Sequence, residues 1–422
     1  MSRAALAAEL RDHINELASA IEAQSVILRG LVTQHKEGQR KLNSLVDPLA
    51  RLPLELQSEI FMLCLTTAAY PEDRYSNRDT RQAPNVFLGV SQLWRDVALA
   101  TPRLWAALRV AQLQFSCYFH DFCALWMQRA KHIPVSLTLY GRLQPGLGDA
   151  AELLHAYGPQ LRELTLQLGM PPEDEFESGY DLEFDAAFPL LKTLDIQFWT
   201  YEPTIRDATD WIAFLRAAPA LLQCSFQNGF YIPEDDVEVE SLTHTSLQRL
   251  YLGHADDRKN GNSAGVLRYL TLPALQELQL TRFDLMDEQI IDFFVRSAPP
   301  LESLRLIPPS DWYDQPILEC FKLIPSLERL TLDHGYPLAI LQVLNTFPDI
   351  LPNLRHFTLV CGLPKRREYD AVIKILGVRP LKSFRFYQEI AVLYGEDVMG
   401  PLREFAKNGV DMHVGLEGHN LV

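Results

Sequence analysis

LPALQELQL (Leu272–Leu280), APPLESLRL (Ala298–Leu306) and IPSLERLTL (Ile324–Leu332) are three copies of one phrase. Proline precedes Leu-x-x-Leu-x-Leu, and the copies follow one another at a spacing of 26 residues. Working outward, the phrase recurs nine times between Gly158 and Phe386, with its first leucine at positions 161, 191, 221, 247, 275, 301, 327, 354 and 381. Steps of 26 to 30 residues identify a solenoid, in which each repeat is one structural unit stacked on the next. The period-2 alternation that ends each phrase predicts a short strand with one face buried. Helical patterns fill the gaps at Thr209–Pro219, Asp287–Pro299, Gln315–Pro325 and Arg367–Gly377. One strand and one helix per repeat predicts parallel strands on a concave side and helices on a convex side. PVSLTLYG (Pro134–Gly141) supplies an opening strand and GVDMHVG (Gly409–Gly415) a closing one, with Gly418–Val422 expected to fray.

With 422 residues the chain is long enough for several structural units. No stretch approaches the roughly 18 uninterrupted apolar residues of a membrane span. The charged N-terminus MSRAALAAELRDHINEL lacks the apolar centre of a signal peptide. Six dispersed cysteines with no Cys-x-x-Cys pair point to buried thiols in a reducing compartment, cytoplasmic or nuclear. A net charge of −15 disfavours nucleic acid and anionic membranes and is compatible with a basic protein partner.

Before the repeats stand two further segments. Leu10, Ile14, Leu17, Ile21, Leu28, Leu31, Leu42 and Leu45 follow steps of four and three, with Gln24, His35 and Gly38 at the remaining seam positions. That spacing predicts one helix with an apolar seam, which either pairs two chains or lies on its own protein. Asp47-Pro48 ends it. ARLPLELQSEIFMLCL (Ala50–Leu65) then opens a helix with proline at its start. A polar insertion, 66–84, separates it from NVFLGVSQLWRDVALATPRLWAAL (Asn85–Leu108), which carries two short helical patterns. Phe115, Phe119, Phe122 and Trp126 form an aromatic stripe of core type on a further helix.

Leu52-Pro53-x-Glu55-Leu56 with Ile60-Phe61, followed by Val90-Ser91-x-x-Trp94-Arg95-x-Val97-Ala98 and Trp105, resembles an F-box. Together with the N-terminal helix, the insertion and the degenerate leucine-rich repeats, this is similar to the large F-box families of mushroom-forming fungi. The resemblance implies docking on the Skp-type adaptor of a cullin–RING ubiquitin ligase, with Leu52, Pro53, Leu56, Ile60, Phe61, Trp94 and Trp105 forming or supporting the docking surface. Two departures are the long insertion and Ser91, which stands where the family usually has Cys. The competing expectation is a helical cap on a leucine-rich scaffold with no ubiquitin role.

The expected fold is therefore α+β overall. It comprises an N-terminal amphipathic, coiled-coil-like helix (1–46), a small three-helix F-box (47–110) and an αβ leucine-rich-repeat solenoid (111–422) of about ten irregular repeats. With leucines inward, the concave face carries Glu163, Asp195, Gln197, Gln227, Arg249, Tyr251, Gln279, Arg305, Arg329 and Arg385. This row is acidic or neutral early and gains arginines late, as suits an asymmetric protein substrate. Loops leaving the strands carry Glu173, Asp174, Glu175, Asp235, Asp236, Asp256 and Asp257, an acidic edge that would steer a basic segment of that substrate. No catalytic role, cofactor or metal is expected. Gly261-Asn262-Ser263-Ala264-Gly265 matches a hydrolase pattern, but it follows a polar loop instead of the apolar strand a nucleophile elbow needs.

Overall fold

The computed structural model describes residues 3–65, 83–111, 119–142, 147–169, 186–198, 208–227, 240–253, 263–281, 288–307, 317–333, 338–362, 364–388, 395–416 and 418–422. Two compact units divide this mixed α/β chain: Met1–Val110 with Leu125–Ile133, and Ala111–Ala124 with Pro134–Val422. No helix among the described residues is long and apolar enough to cross a membrane.

The first unit begins with α1 (Arg3–Val46), a single helix of 44 residues. Asp47 stops it and caps the 3-10 turn Pro48–Arg51 by accepting from the Leu49 N–H at 2.9 Å. Then come α2 (Leu54–Leu63), α3 (Phe87–Val90), α4 (Gln92–Ala100) and a 3-10 turn at Pro102–Trp105. The chain leaves this turn as β1 (Ala107–Ala111), where the sequence pattern still reads as helix. The last turns of α5 (Phe119–Ala130) return to this unit through Trp126, although the sequence places everything after residue 110 with the repeats. Most of the predicted insertion, residues 66–82, and Phe115 lie outside the described residues.

The seam of α1 is exposed from Leu10 to Leu31, and Leu42 and Leu45 are exposed as well. The expectation that this helix lies on its own protein is therefore not met along the seam. The C-terminal end is tied down, where the Asn43 amide donates to the Val90 carbonyl at 2.7 Å.

The second unit runs β2 (Val135–Arg142), α6 (Leu147–Tyr157), β3 (Leu161–Gly169), β4 (Thr193–Phe198), α7 (Ala208–Ala217) and β5 (Gln223–Gln227). It continues with β6 (Leu242–Thr243), β7 (Arg249–Gly253), β8 (Leu270–Thr271), β9 (Glu277–Thr281), α8 (Glu288–Ser297) and β10 (Ser303–Ile307). Its last part is α9 (Ile317–Lys322), β11 (Arg329–Asp333), α10 (Leu338–Thr346), β12 (His356–Cys361), α11 (Arg366–Val378), β13 (Ser383–Gln388), α12 (Glu396–Lys407), β14 (Asp411–Leu416) and β15 (His419–Asn420). Helices α7, α8, α9 and α11 fall on the four predicted patterns. The nine-residue α10 and the helices α6 and α12 were not singled out in the sequence.

Strands β2 to β14 form one sheet in chain order, with β6 and β8 set aside as a separate pair. Each neighbour pairing is parallel and in the register the phrase dictates. All nine first leucines of the phrases are buried. The next two apolar positions build two continuous buried rows, for example Leu278, Leu304, Leu330 and Phe357, and Leu280, Leu306, Leu332 and Leu359. Helices pack on this face of the sheet, shown by Trp211 of α7 against Phe226 at 6.5 Å and Tyr369 of α11 against Phe386 at 5.0 Å.

A backbone ladder links the phrases just before each strand. The residue after each first leucine donates its N–H to its counterpart one repeat earlier, as in Gln276 to Gln248, Glu302 to Gln276, Glu328 to Glu302 and Arg355 to Glu328, all at 2.8–2.9 Å. The C-terminal tail does not fray as the sequence suggested. Strand β15 pairs antiparallel with β14, and the Asn420 side chain accepts from the Val414 N–H and donates to the Met412 carbonyl, at 2.9 and 3.0 Å. One polar side chain thus covers backbone groups of the last parallel strand.

Candidate protein-binding surfaces

In the first unit, α2 has two faces. Gln57 and Phe61, one helical turn apart, point inward and are buried. Phe61 stacks on Phe87 of α3 at 4.2 Å and meets Trp94 of α4 at 5.0 Å, so three helices share one aromatic cluster. Gln57 donates to the Leu52 carbonyl at 2.7 Å and holds the segment that leads into the helix. On the outer side Pro53 and Leu56 are exposed, while Leu52 and Ile60 are half-buried. Leu54 and Leu63 are exposed too, and Leu63 is 84% exposed. Leu56, Ile60 and Leu63 lie at i, i+4 and i+7, so they share a helix face. Leu63 was not singled out from sequence because it lies beyond the quoted motif; the helical period alone would have found it.

Phe61, Trp94 and Trp105 belong to the supporting layer. Trp105 is fully buried and donates its indole N–H to the Ala98 carbonyl at 2.9 Å. The Arg129 guanidinium lies 4.5 Å from its ring centroid. Ser91, at the departure from the usual Cys, is buried and caps α4 by accepting from the Trp94 N–H at 3.2 Å, while its hydroxyl donates to Asp47 at 3.3 Å. A thiol would accept both roles less well, so serine here joins the end of α1 to the start of α4.

In the second unit, the predicted substrate residues fall into three lateral rows on the sheet face opposite the buried leucines. Register places Glu163, Arg249, Glu277, Arg329, His356 and Asp411 in the first row. Asp195, Ser225, Tyr251, Gln279, Arg305 and Arg385 share the middle row. Gln197 and Gln227 stand side by side in the third. Parallel in-register pairing is what brings residues 26 to 30 apart in sequence to neighbouring positions.

These rows are extensively bonded to one another. Arg249 donates to Gln223 at 3.0 Å, and the Tyr251 hydroxyl donates to Glu277 at 3.1 Å. Arg329 lies 3.7 Å from Glu277 and 3.8 Å from Glu302. Arg305 pairs with Asp333 and Arg385 with Asp411. In the late half of the face, each of the three arginines expected there meets a carboxylate. Asp411 escaped notice because β14 lacks the Leu-x-x-Leu-x-Leu phrase. Arg385 holds the Asp411 carboxyl below the ordinary carboxylate range by hydrogen bonding to its charged form.

The early half differs. Ser136 donates to Glu163 at 2.8 Å, and Gln197 donates to Asp195 at 3.2 Å. Burial pushes the Asp195 carboxyl up, opposed only in part by hydrogen bonds from Ser225 and Gln197. Ser225 and Gln197, which bond it, are neutral, so its charge is compensated less than those of the carboxylates in the late half. Glu173, Asp174, Glu175, Asp235, Asp236, Asp256 and Asp257, the predicted acidic edge, lie outside the described residues. So do Gly261 and Asn262 of the hydrolase-like pattern; Ser263 opens a 3-10 segment, Ser263–Tyr269. Among the described residues no group of three or more His, Cys, Asp and Glu could hold a metal ion.

The chain matches no protein-family model, and no curated protein matches it.

Proposed function

We propose that this chain is the substrate-recognition subunit of a Skp–cullin–F-box ubiquitin ligase. The observation that carries the reading is the outer face of α2. Pro53, Leu56 and Leu63 are exposed apolar residues on a helix whose inner face is locked by the Phe61–Phe87–Trp94 cluster. An apolar strip on a rigid, well-packed helix is a preorganised docking surface, because little side-chain and backbone entropy remains to be lost on binding. The F-box resemblance of the same residues names the Skp-type adaptor as its partner.

The parallel sheet supplies the second half of the proposal. Its strands, stacked one per repeat, form the concave side of an αβ leucine-rich-repeat solenoid, and its polar rows bind the protein substrate. Asp195, half-buried among neutral partners, makes the early half of the face the docking place for a Lys- or Arg-rich segment. The late half, with its arginines already paired, contributes hydrogen-bonding shape more than charge. The ligase brings a substrate lysine near activated ubiquitin, so this chain contributes proximity and orientation and no catalytic group.

The test is a binding titration of the full chain with purified Skp-type adaptor, beside the Leu52→Ala, Pro53→Ala double variant. Saturable binding that the variant loses supports the proposal. No binding by folded wild-type protein rejects it in favour of a leucine-rich scaffold whose first unit is only a cap.

A further inference from the structure

We propose that the chain is a parallel homodimer, zipped along the seam of α1. This goes beyond the adaptor reading and does not depend on it. The seam is exposed, and its spacing is specific. Taken in heptads, one core position carries Ile14, Ile21 and Leu28, and the other carries Leu10, Leu17 and Leu31. Isoleucine at the first and leucine at the second is the arrangement that favours two parallel strands.

The occupant is a second copy of this helix for three reasons. First, the positions flanking the seam between Ala18 and Gln39 carry no charge, so an in-register pair brings no like charges together. Ile27 and Val32 flank the seam and face each other across such a pair, extending its apolar surface. Within this stretch the charged side chains lie away from the seam, where Arg29 and Glu22 already pair at 3.0 Å within one helix. Second, the polar interruptions match themselves: Gln24 meets Gln24 and His35 meets His35 only in a parallel, unstaggered pair. Hydrogen bonding between the two glutamines then satisfies groups that a parallel pair staggered by one heptad would set against leucine. Third, the area suffices. Eight Leu and Ile seam residues per chain, at roughly 60–120 Å² of apolar surface each, remove about 1,000–1,900 Å² from water in a pair, which reaches a standard stable interface.

Light scattering on the full chain across a dilution series is the first test, with twice the 48.1 kDa chain mass expected. Leu17→Glu with Ile21→Glu places two charges in the seam and should leave only the single-chain mass. All six tryptophans lie outside α1, so unchanged tryptophan emission shows that the rest of the variant is folded. Orientation is read by Gln24→Cys in a Cys64→Ser, Cys117→Ser background, where air oxidation should give a covalent dimer in high yield. A single-chain mass for the wild type overturns the proposal and leaves the seam to a helix of another protein. A dimer that survives the double Glu variant overturns the seam as its interface. A three- or four-chain mass, or a dimer that Gln24→Cys does not crosslink, overturns the parallel pair.

Discussion

Arg305 on β10 and Asp333 on β11 form an ion pair across two neighbouring strands, although Arg305 stands in register opposite Thr331. The guanidinium reaches diagonally along the sheet face to a carboxylate that is only 6% exposed. A buried carboxylate tolerates its charge only with a partner. Arg305→Ala, Asp333→Asn and the double variant form a thermodynamic cycle in denaturant unfolding. The expected coupling is on the order of 1–2 kcal/mol, with the arginine variant the more destabilised single because it removes the cation that faces a buried charge. Additive effects would mean that other neighbours of Asp333 carry it.

Asp195 should make the protein less stable as the pH rises. Its folded-state carboxyl is raised above the ordinary 3.8 by burial. The folded state therefore holds this proton more tightly than the unfolded chain. That advantage is complete below the unfolded value and lost as pH climbs through the raised folded one. Asp195→Asn keeps an acceptor for Ser225 and Gln197 and removes the charge. The variant should unfold at higher denaturant than wild type at pH 7, with the gap closing toward pH 4. Destabilisation at pH 7 would mean that the carboxylate gains more from its neighbours than burial costs it.

Two glycine positions should respond in opposite directions. A Cβ at Gly158 would come within 2.8 Å of the Ala187 carbonyl oxygen and 3.1 Å of the Phe188 ring. Gly158→Ala should cost about 1–3 kcal/mol, since backbone cannot yield as a flexible side chain can. A Cβ at Gly30 meets nothing within 4 Å, inside a helix. Gly30→Ala should stabilise α1 by about 1 kcal/mol, seen as greater helicity and a later melt by circular dichroism.

Trp126 and Trp105 should behave as one unit. The Trp126 indole donates to the Trp105 carbonyl at 2.9 Å, and the rings meet edge to face at 4.8 Å. Trp105→Ala should destabilise by about 3–5 kcal/mol. Trp126→Phe keeps most of the ring but leaves the buried carbonyl unpaired, and should cost about 1–3 kcal/mol. Chemical unfolding followed by circular dichroism measures both.

The repeat was legible in the sequence because its signal is written nine times in local order. Each Leu-x-x-Leu-x-Leu places its own leucines on one side of a strand, and the 26 to 30 residue step forces neighbouring phrases into the same register. The nine first leucines and the four anticipated helices follow from that period, since hydrophobic spacing is a property of consecutive residues; the closing strand β14 was legible only as a short stretch, Gly409–Gly415, without the phrase. Helix α1 was equally legible, with Asp47-Pro48 marking its end. The outer face of α2 was half legible: the motif led to Leu52, Pro53 and Leu56, but which aromatics would be buried depended on α3 and α4 folding back over Phe61.

Only the tertiary structure decided what the polar face carries. Pairing of Arg329 with Glu277, of Arg305 with Asp333 and of Arg385 with Asp411 joins residues 26 to 52 apart along the chain, and a sequence does not state which long side chains meet. The tail was misjudged for the same reason: Gly418–Val422 looks unanchored until Asn420 is seen bonded to β14. Periodic burial of apolar surface is local and additive, so it survives in one dimension. Charge pairing and capping by a single side chain depend on distances across the fold, and those exist only after the sheet has stacked.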